Sequence, residues 1–301
     1  MPCELIEKNG ETLREMVLRY ATLWNLPPEF GMWVKECNTF CNTLVDRIVP
    51  GFPKDTISEI QTKTGYEDNQ VVAAEPFHLW VVEAPKEVHE LFPADKVGLS
   101  LKYVDDLAPY RTQKVRILNG AHTALTPLAY LRGLRTVRES VEDEYCGEFI
   151  RRAIFEEIIP TLDSSKDELN QFANDVLERF KNPFIRHELK SIALNSVSKF
   201  KVRVMPSILE YNKRTGRLPQ NLILSFAAMI RFYQGEWKGE TLPVNDSADI
   251  VSFFSDVWKC ENTVHVVKSV LTNSMLWGED LTRIEGLADS IRQALDEVKA
   301  L

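Results

Sequence analysis

The sequence predicts a mainly α chain: a large C-terminal helical domain over residues 106–301, preceded by α/β material over residues 1–105. Three observations carry this. Before residue 105 the apolar runs are short, rich in β-branched and aromatic residues, and bounded by Pro or Gly. After Pro109 nearly every apolar run is long and repeats at helical spacing. The 301 residues are 44% hydrophobic, enough to fill a packed core.

In chain order, Leu13, Met16, Val17, Tyr20 and Leu23 give residues 11–24 a helical stripe, started by Asn9 or Gly10. Leu44-Val45 and Ile48-Val49 form a short strand closed by Pro50-Gly51. Residues 77–83 (FHLWVVE), between Pro76 and Pro85, form a second strand, and Val97 to Val104 a weaker third. A long helical pattern over 111–133 is interrupted by Gly120 and Pro127. Residues 144–159 place Tyr145, Phe149, Ile150, Ile154 and Ile158 on one stripe that Pro160 stops, and Asp163 to Asp167 offers caps for a helix over 167–180. Helices follow over 183–199, 202–212, the strongly apolar 219–234, 247–259, 261–276 and 284–300. Gly235 to Asp246 reads as an exposed polar loop.

Lys and Arg total 36 against 44 Asp and Glu, a net charge of −8, which argues against a nucleic-acid partner. No apolar run reaches the roughly 20 residues of a membrane span. The opening Met1-Pro2-Cys3-Glu4-Leu5 has no secretory pattern. Five widely spaced cysteines without C-x-x-C predict reduced thiols in a cytoplasmic protein and no metal site. Cys37 and Cys41 stand at helical spacing, as a pair of small buried side chains would. The sequence contains neither G-x-G-x-x-G nor a P-loop pattern.

The segment richest in chemistry is K-V-R-I-L-N-G-A-H, residues 114–122. At about 100° per residue, Lys114, Asn119 and His122 fall near 0°, 140° and 80° on an α-helical wheel, on one side. A lysine can exchange a proton with an alkoxide, an Asn amide can donate to an oxyanion, and a histidine can orient a neighbouring hydroxyl. The same three residues could equally be a solvated Lys, a helix Asn and a core-edge His.

K-x-x-x-x-N-x-x-H in this setting resembles the polyol-specific long-chain dehydrogenases, the mannitol dehydrogenase-like family. Three further stretches are similar to motifs of that family: Leu44-Val45-Asp46-Arg47-Ile48-Val49-Pro50, Glu75-Pro76-Phe77-His78-Leu79-Trp80-Val81-Val82-Glu83, and Asn182-Pro183 followed by Ser196-Val197-Ser198-Lys199. Together they cover roughly residues 3 to 210. Cys3 to Gly10, Phe40 to Arg47, Leu118 to Leu125 and Asn182 to His187 fit best the subgroup that reduces D-tagaturonate to D-altronate with NADH and without a metal.

The resemblance implies roles residue by residue. Lys114 matches the general acid/base, Asn119 an oxyanion-stabilising asparagine, and His122 a substrate-orienting histidine. Lys199 matches a second substrate-contacting lysine, well placed for a hexuronate carboxylate. Asp46 matches a motif aspartate near the cofactor or substrate cleft; its other reading is a salt bridge to a neighbouring Arg. Arg186 and His187 form a further candidate pair for the acid substrate, or a surface pair after Pro183. His78, His89 and His265 read as structural. Leu5 stands where many members have a second oxyanion asparagine, and Asn9 is the nearest amide. The sugar-binding Arg of relatives falls near Ser191, beside Lys190.

The family also places a dinucleotide-binding Rossmann domain before the segment that starts here. The expectation is therefore a C-terminal portion: residues 1–105 as the tail of the cofactor domain, residues 106–301 as the substrate domain, the missing N-terminal Rossmann domain as partner, and no turnover by this chain alone. Two alternatives stand beside it: a fructuronate- or mannitol-type enzyme of the same family, and a non-catalytic interaction module.

Overall fold

A computed structural model describes residues 1–260 and 262–301. The chain divides into two compact units, Met1–Thr112 and Gln113–Leu301.

The first unit contains α1 (Asn9–Leu23), α2 (Pro28–Glu36), β1 (Asn42–Asp46), α3 (Ile57–Thr64), β2 (Leu79–Glu83), α4 (Lys86–Leu91) and β3 (Leu101–Val104); α5 (Ala108–Gln113) begins in it. The sheet order is β1-β2-β3. β1 runs antiparallel to β2 with Leu44 opposite Val81, and β2 runs parallel to β3 with Val81 opposite Lys102. Side chains alternate across a strand, so the consecutive Val81 and Val82 feed two different faces. Val82 packs with Cys41, Ala94 and Leu101, whereas Val81 packs with Leu44 and Leu107.

Local chemistry explains the departures from expectation in this unit. Ile48 and Val49 lie beyond β1, because the Ile48 amide donates to the Glu75 carboxylate instead of continuing the ladder (2.6 Å). Pro28 at the first position of α2 starts a helix that periodicity missed. The chain leaves α2 at Cys37, so Cys37 is exposed and only Cys41 is buried; the two do not share a helix. The α1 stripe is helical as expected, yet Leu13, Met16, Tyr20 and Leu23 are all exposed.

The second unit contains α6 (Gly120–Leu131), α7 (Val137–Glu142), α8 (Glu144–Arg152), α9 (Lys166–Phe180), α10 (Leu189–Ile192), α11 (Ser196–Arg203), α12 (Met205–Thr215), α13 (Gln220–Phe232), the short β4 (Glu236–Trp237) and β5 (Glu240–Thr241), α14 (Ala248–Trp258), α15 (Thr263–Thr272), α16 (Ser274–Trp277) and α17 (Leu287–Lys299). The apolar α13 is the central rod, packed against α6 and α17. Its buried Phe226 stacks on Phe200 of α11 (4.9 Å) and meets Trp277 of α16 edge-on (5.1 Å).

Six expectations are corrected in this unit. Gly120 and Pro127 do not break the 111–133 pattern: Lys114–Asn119 is a π turn, Gly120 opens α6, and Pro127 sits inside it. The 144–159 stripe ends as α-helix at Arg152 and continues as a second π turn, Ala153–Ile158. Residues 183–188 are not helical, because the Asn182 carboxamide oxygen accepts from the Phe184 amide (3.0 Å) and a β-bridge joins Glu188 to Thr136. Gly235 to Asp246 is not a bare loop: Lys238 and Gly239, both at positive φ, turn the β4–β5 hairpin, which buries Trp237. The expected 261–276 helix is divided at Asn273, which caps α16, and its first residue, Glu261, lies outside the described residues. The 167–180 helix starts at Lys166 after Ser165, without a side-chain cap.

Candidate active site

The site is built on the π turn. In a π-helix the backbone bond closes over five residues rather than four, so the chain turns less per residue and residues i and i+5 come closer in angle than on an α-helix. The Gly120 amide donates to the Val115 carbonyl in this pattern. The same register sets Lys114 and Asn119 on one face, closer in angle than an α-helical wheel allows. Both side chains are half-buried. The Asn119 backbone carbonyl accepts from the Thr123 hydroxyl (2.9 Å), while among the described residues its carboxamide has no hydrogen-bond partner.

His122 lies on the first turn of α6 and is 6% exposed. Its ring stacks on Phe180, the last residue of α9, at 4.1 Å, and meets the His187 ring edge-on at 5.0 Å. Its Nε2 is buried without a hydrogen-bond partner. Burial holds the imidazole well below its ordinary pKa; the nearby His187, Arg203, Arg179 and Lys199 add to the effect. The ring is therefore held in its neutral form, and an imidazole nitrogen in that form can accept from a hydroxyl.

His187 is held by its backbone: its carbonyl accepts from the Val137 amide (2.9 Å), and the Leu189 amide donates to the Arg135 carbonyl (2.9 Å). Burial lowers its pKa to about 4. Arg186, one residue earlier, is exposed and paired with Glu188 (3.5 Å), so the two members of the expected pair part company.

Lys199 lies on α11, which is anchored by the Tyr233 hydroxyl: it accepts from the Val197 amide (3.2 Å) and donates to the Asp246 carboxylate (2.5 Å). The Lys199 ammonium donates to the Ile192 carbonyl (3.0 Å), and burial lowers its pKa. At the end of α11 the Arg203 guanidinium donates to the Thr123 hydroxyl (3.4 Å). A close crossing permits this: a Cβ at Gly120 would stand 3.2 Å from the Arg203 carbonyl. Arg203 escaped the sequence analysis; its four-residue spacing from Lys199 was the available signal.

The other sequence candidates belong to the first unit. Asp46 is buried at the end of β1. Asn9 is spent on structure: its carboxamide donates to the Thr43 carbonyl (3.2 Å) and accepts from the Thr43 amide (2.8 Å). Leu5 is exposed. Ser191 and Lys190 are exposed, and Lys190 pairs with Glu188 (2.7 Å). His78 and His89 make local bonds, to the Ser100 amide (3.1 Å) and to Asp95 (3.1 Å). His265 stands 3.4 Å from the Ser269 hydroxyl. Among the described residues no group of three or more His, Cys, Asp or Glu is placed to hold a metal, and no helix is long and apolar enough to cross a membrane.

Residues 106–299 match the mannitol dehydrogenase C-terminal domain, and residues 1–95 match the mannitol dehydrogenase Rossmann domain. The chain belongs to the mannitol dehydrogenase family. It is 50% identical over 303 residues to an altronate oxidoreductase of Bacillus subtilis (strain 168), covering 100% of this chain and 62% of that protein. It is 46% identical over 300 residues to an altronate oxidoreductase of Bacteroides thetaiotaomicron, covering 99% and 63%. The chain thus spans a little under two thirds of the length of these relatives. Two solved structures share its fold, each with a TM-score of 0.77 over 99% of this chain and 59% of theirs: Pseudomonas fluorescens mannitol 2-dehydrogenase in ternary complex with NAD and D-mannitol (24% identity), and a substrate-free D-sorbitol dehydrogenase (23%).

Proposed function

We propose that this chain is the substrate-binding and proton-transfer part of an NAD-dependent tagaturonate reductase, which interconverts D-tagaturonate and D-altronate. The observation that carries the reading is the π turn, whose register sets Lys114 and Asn119 on one face, one turn before a neutral, buried His122 with an orphan Nε2. The relatives named altronate oxidoreductase support the choice of substrate.

In this reading Lys114 gives its proton to the substrate oxygen as the ketone becomes an alcohol, and takes it back in the reverse direction. The Asn119 amide donates to the same oxygen while it carries negative charge. His122 Nε2 accepts from a neighbouring hydroxyl and fixes the sugar's rotation, with His187 packed behind it. Lys199 faces the carboxylate, and Arg186 stays at the rim. Asp46 belongs to the cofactor side.

The residues described do not fit the dinucleotide by themselves. The sequence has no G-x-G-x-x-G. Neither α3 nor α4 follows its strand through a glycine-rich turn that could cradle a pyrophosphate. The chemistry assigned to this chain therefore stops at binding and the proton, and the chain alone is expected to show no turnover with NADH.

The test joins this chain to the portion of the Bacillus subtilis relative outside the matched region. NADH oxidation is then followed with tagaturonate, fructuronate and fructose. Tagaturonate should give the highest kcat/KM; a clear preference for fructose would overturn the reading.

A further inference from the structure

The acid group of a sugar acid needs a partner, and α11 offers one that the family resemblance did not name. Lys199 and Arg203 are four residues apart on that helix, hence neighbours on one face. Both are partly buried, and burial depresses both, with Arg203 adding to the effect on Lys199. Among the described residues neither makes an ion pair with a carboxylate. The Lys199 ammonium has one backbone carbonyl, and the five-donor Arg203 fork has one long bond to Thr123.

Several other arginines of the unit are paired with acids. Arg132 meets Asp143, Arg135 meets Glu240, Arg138 meets Glu142, Arg152 meets Glu148, and Arg214 meets Asp163 and Glu210. Lys199 and Arg203 are adjacent, partly buried cations, and the Asp246 carboxylate, whose charge acts on Lys199, is bonded to the Tyr233 hydroxyl. Like charges one turn apart repel, and a desolvated charge without a partner is costly. An anion set between them relieves both costs. The pair stands beside the orphan nitrogen: the charges of Lys199 and Arg203 both reach His122, and Arg203 bonds the residue next to it.

We propose that Arg203 is the residue that grips the substrate's carboxylate, with Lys199 as its second cation. The proposal rests on the hexuronate reading above and sharpens it. A planar guanidinium matches a carboxylate with two parallel bonds, which a lysine cannot do. Arg186, the alternative arginine, is exposed and already paired with Glu188.

Calorimetry on this chain tests it with three ligands: D-altronate, the neutral altritol in which the carboxylate is reduced, and inorganic phosphate. Wild type should prefer altronate over altritol. Arg203→Met should weaken altronate by about 10- to 100-fold, the range of a charge-assisted bond, and leave altritol unchanged. Arg203→Lys should recover only part of the loss. Unchanged near-UV dichroism shows that the variant folds; if Arg203→Met does not fold, Arg203→Gln, which keeps a polar side chain at this partly buried position, carries the same test. Undiminished altronate affinity in a folded variant overturns the Arg203 assignment and leaves the functional reading standing. Wild type that does not prefer altronate overturns the functional reading and the assignment with it. A loss that falls on phosphate and spares altronate assigns the cation pair to a phosphate group and also overturns it.

Discussion

His187 stands edge-on to His122, ring centroids 5.0 Å apart and planes 75° apart, with Phe180 closing the other face of His122. Two imidazoles in contact, faced by Arg203, Arg179 and Lys199, cannot both be charged without strong repulsion. Burial keeps both imidazoles toward their neutral form, and the cations add to this at His122.

That arrangement fixes the sign of the acid response. The folded pKa of His187 is about 4, and that of His122 is well below ordinary, against about 6.5 for unfolded histidine. Between about pH 4 and 6.5 the unfolded chain binds more protons, so stability rises with pH across that window and is lost on acidification. His187 contributes about 3 kcal/mol to this change at most. Urea unfolding at pH 7 and pH 4.5 should show a loss in wild type and a smaller one in His187→Gln. Equal losses would show that His187 is charged in the folded protein.

Lys114 is expected to govern the chemical step. In the chain joined to the unmatched portion of the Bacillus subtilis relative, Lys114→Ala should lower kcat by about 10²–10⁴ with KM little changed. Turnover within a few-fold of wild type would remove the lysine from the acid/base role.

Asn119 should act on the same oxygen without moving a proton. Asn119→Ala is expected to cost about 10²–10³ in kcat, as loss of one oxyanion donor does, without shifting the pH profile. A displaced profile would mean that the amide works by tuning Lys114 instead.

The site was legible as residue types and hardly at all as geometry. Lys114, Asn119 and His122 stand out in the sequence, yet a wheel at about 100° per residue spreads Lys114 and Asn119 by about 140°. The π turn brings them into register, and no residue between Val115 and Leu118 announces it. Residues 183–199 read as helix because their apolar spacing suits one, but the Asn182 turn and the bridge to Thr136 decide otherwise. That non-helical stretch delivers His187 to His122. Long apolar helices such as α13 were plain because packing and periodicity agree there. The α1 stripe shows the limit of periodicity: it gives the helix and is silent on what covers its face.

Glu157 was missed altogether, since an acid in an apolar stripe looks like a solvated residue. It lies on the second π turn, buried, and accepts from the Asn221 amide and carboxamide (2.8 Å each) and the Leu222 amide (2.9 Å). These are free donors at the start of α13, where negative charge is favoured. Burial pushes its pKa up, and the three bonds oppose that. Glu157→Ala should destabilise the chain by about 2–4 kcal/mol, through lost bonds and orphaned amides at the end of the central helix. Glu157→Gln, which keeps an acceptor, should cost less. A melting temperature unchanged in Glu157→Ala would mean that water replaces the carboxylate.

The first unit has its own test at the junction of α1 with β1. The Asn42 carboxamide oxygen accepts from the Gly10 and Glu11 amides (3.1 and 3.2 Å), and its nitrogen donates to Glu11 (3.1 Å) and Glu83 (2.9 Å). Asn9 ties the same helix end to Thr43. The backbones approach so closely that a methyl at Gly10 would overlap the Cys41 carbonyl. Rigid backbone cannot swing away as a side chain would, so the overlap outweighs the helix propensity that alanine adds. Gly10→Ala should destabilise this unit by about 1–3 kcal/mol, and the β1 amides, Thr43 first, should exchange hydrogen faster than in wild type. Unchanged protection at Thr43 would mean that α1 shifts as a body and that the Asn9 and Asn42 bonds tolerate the shift.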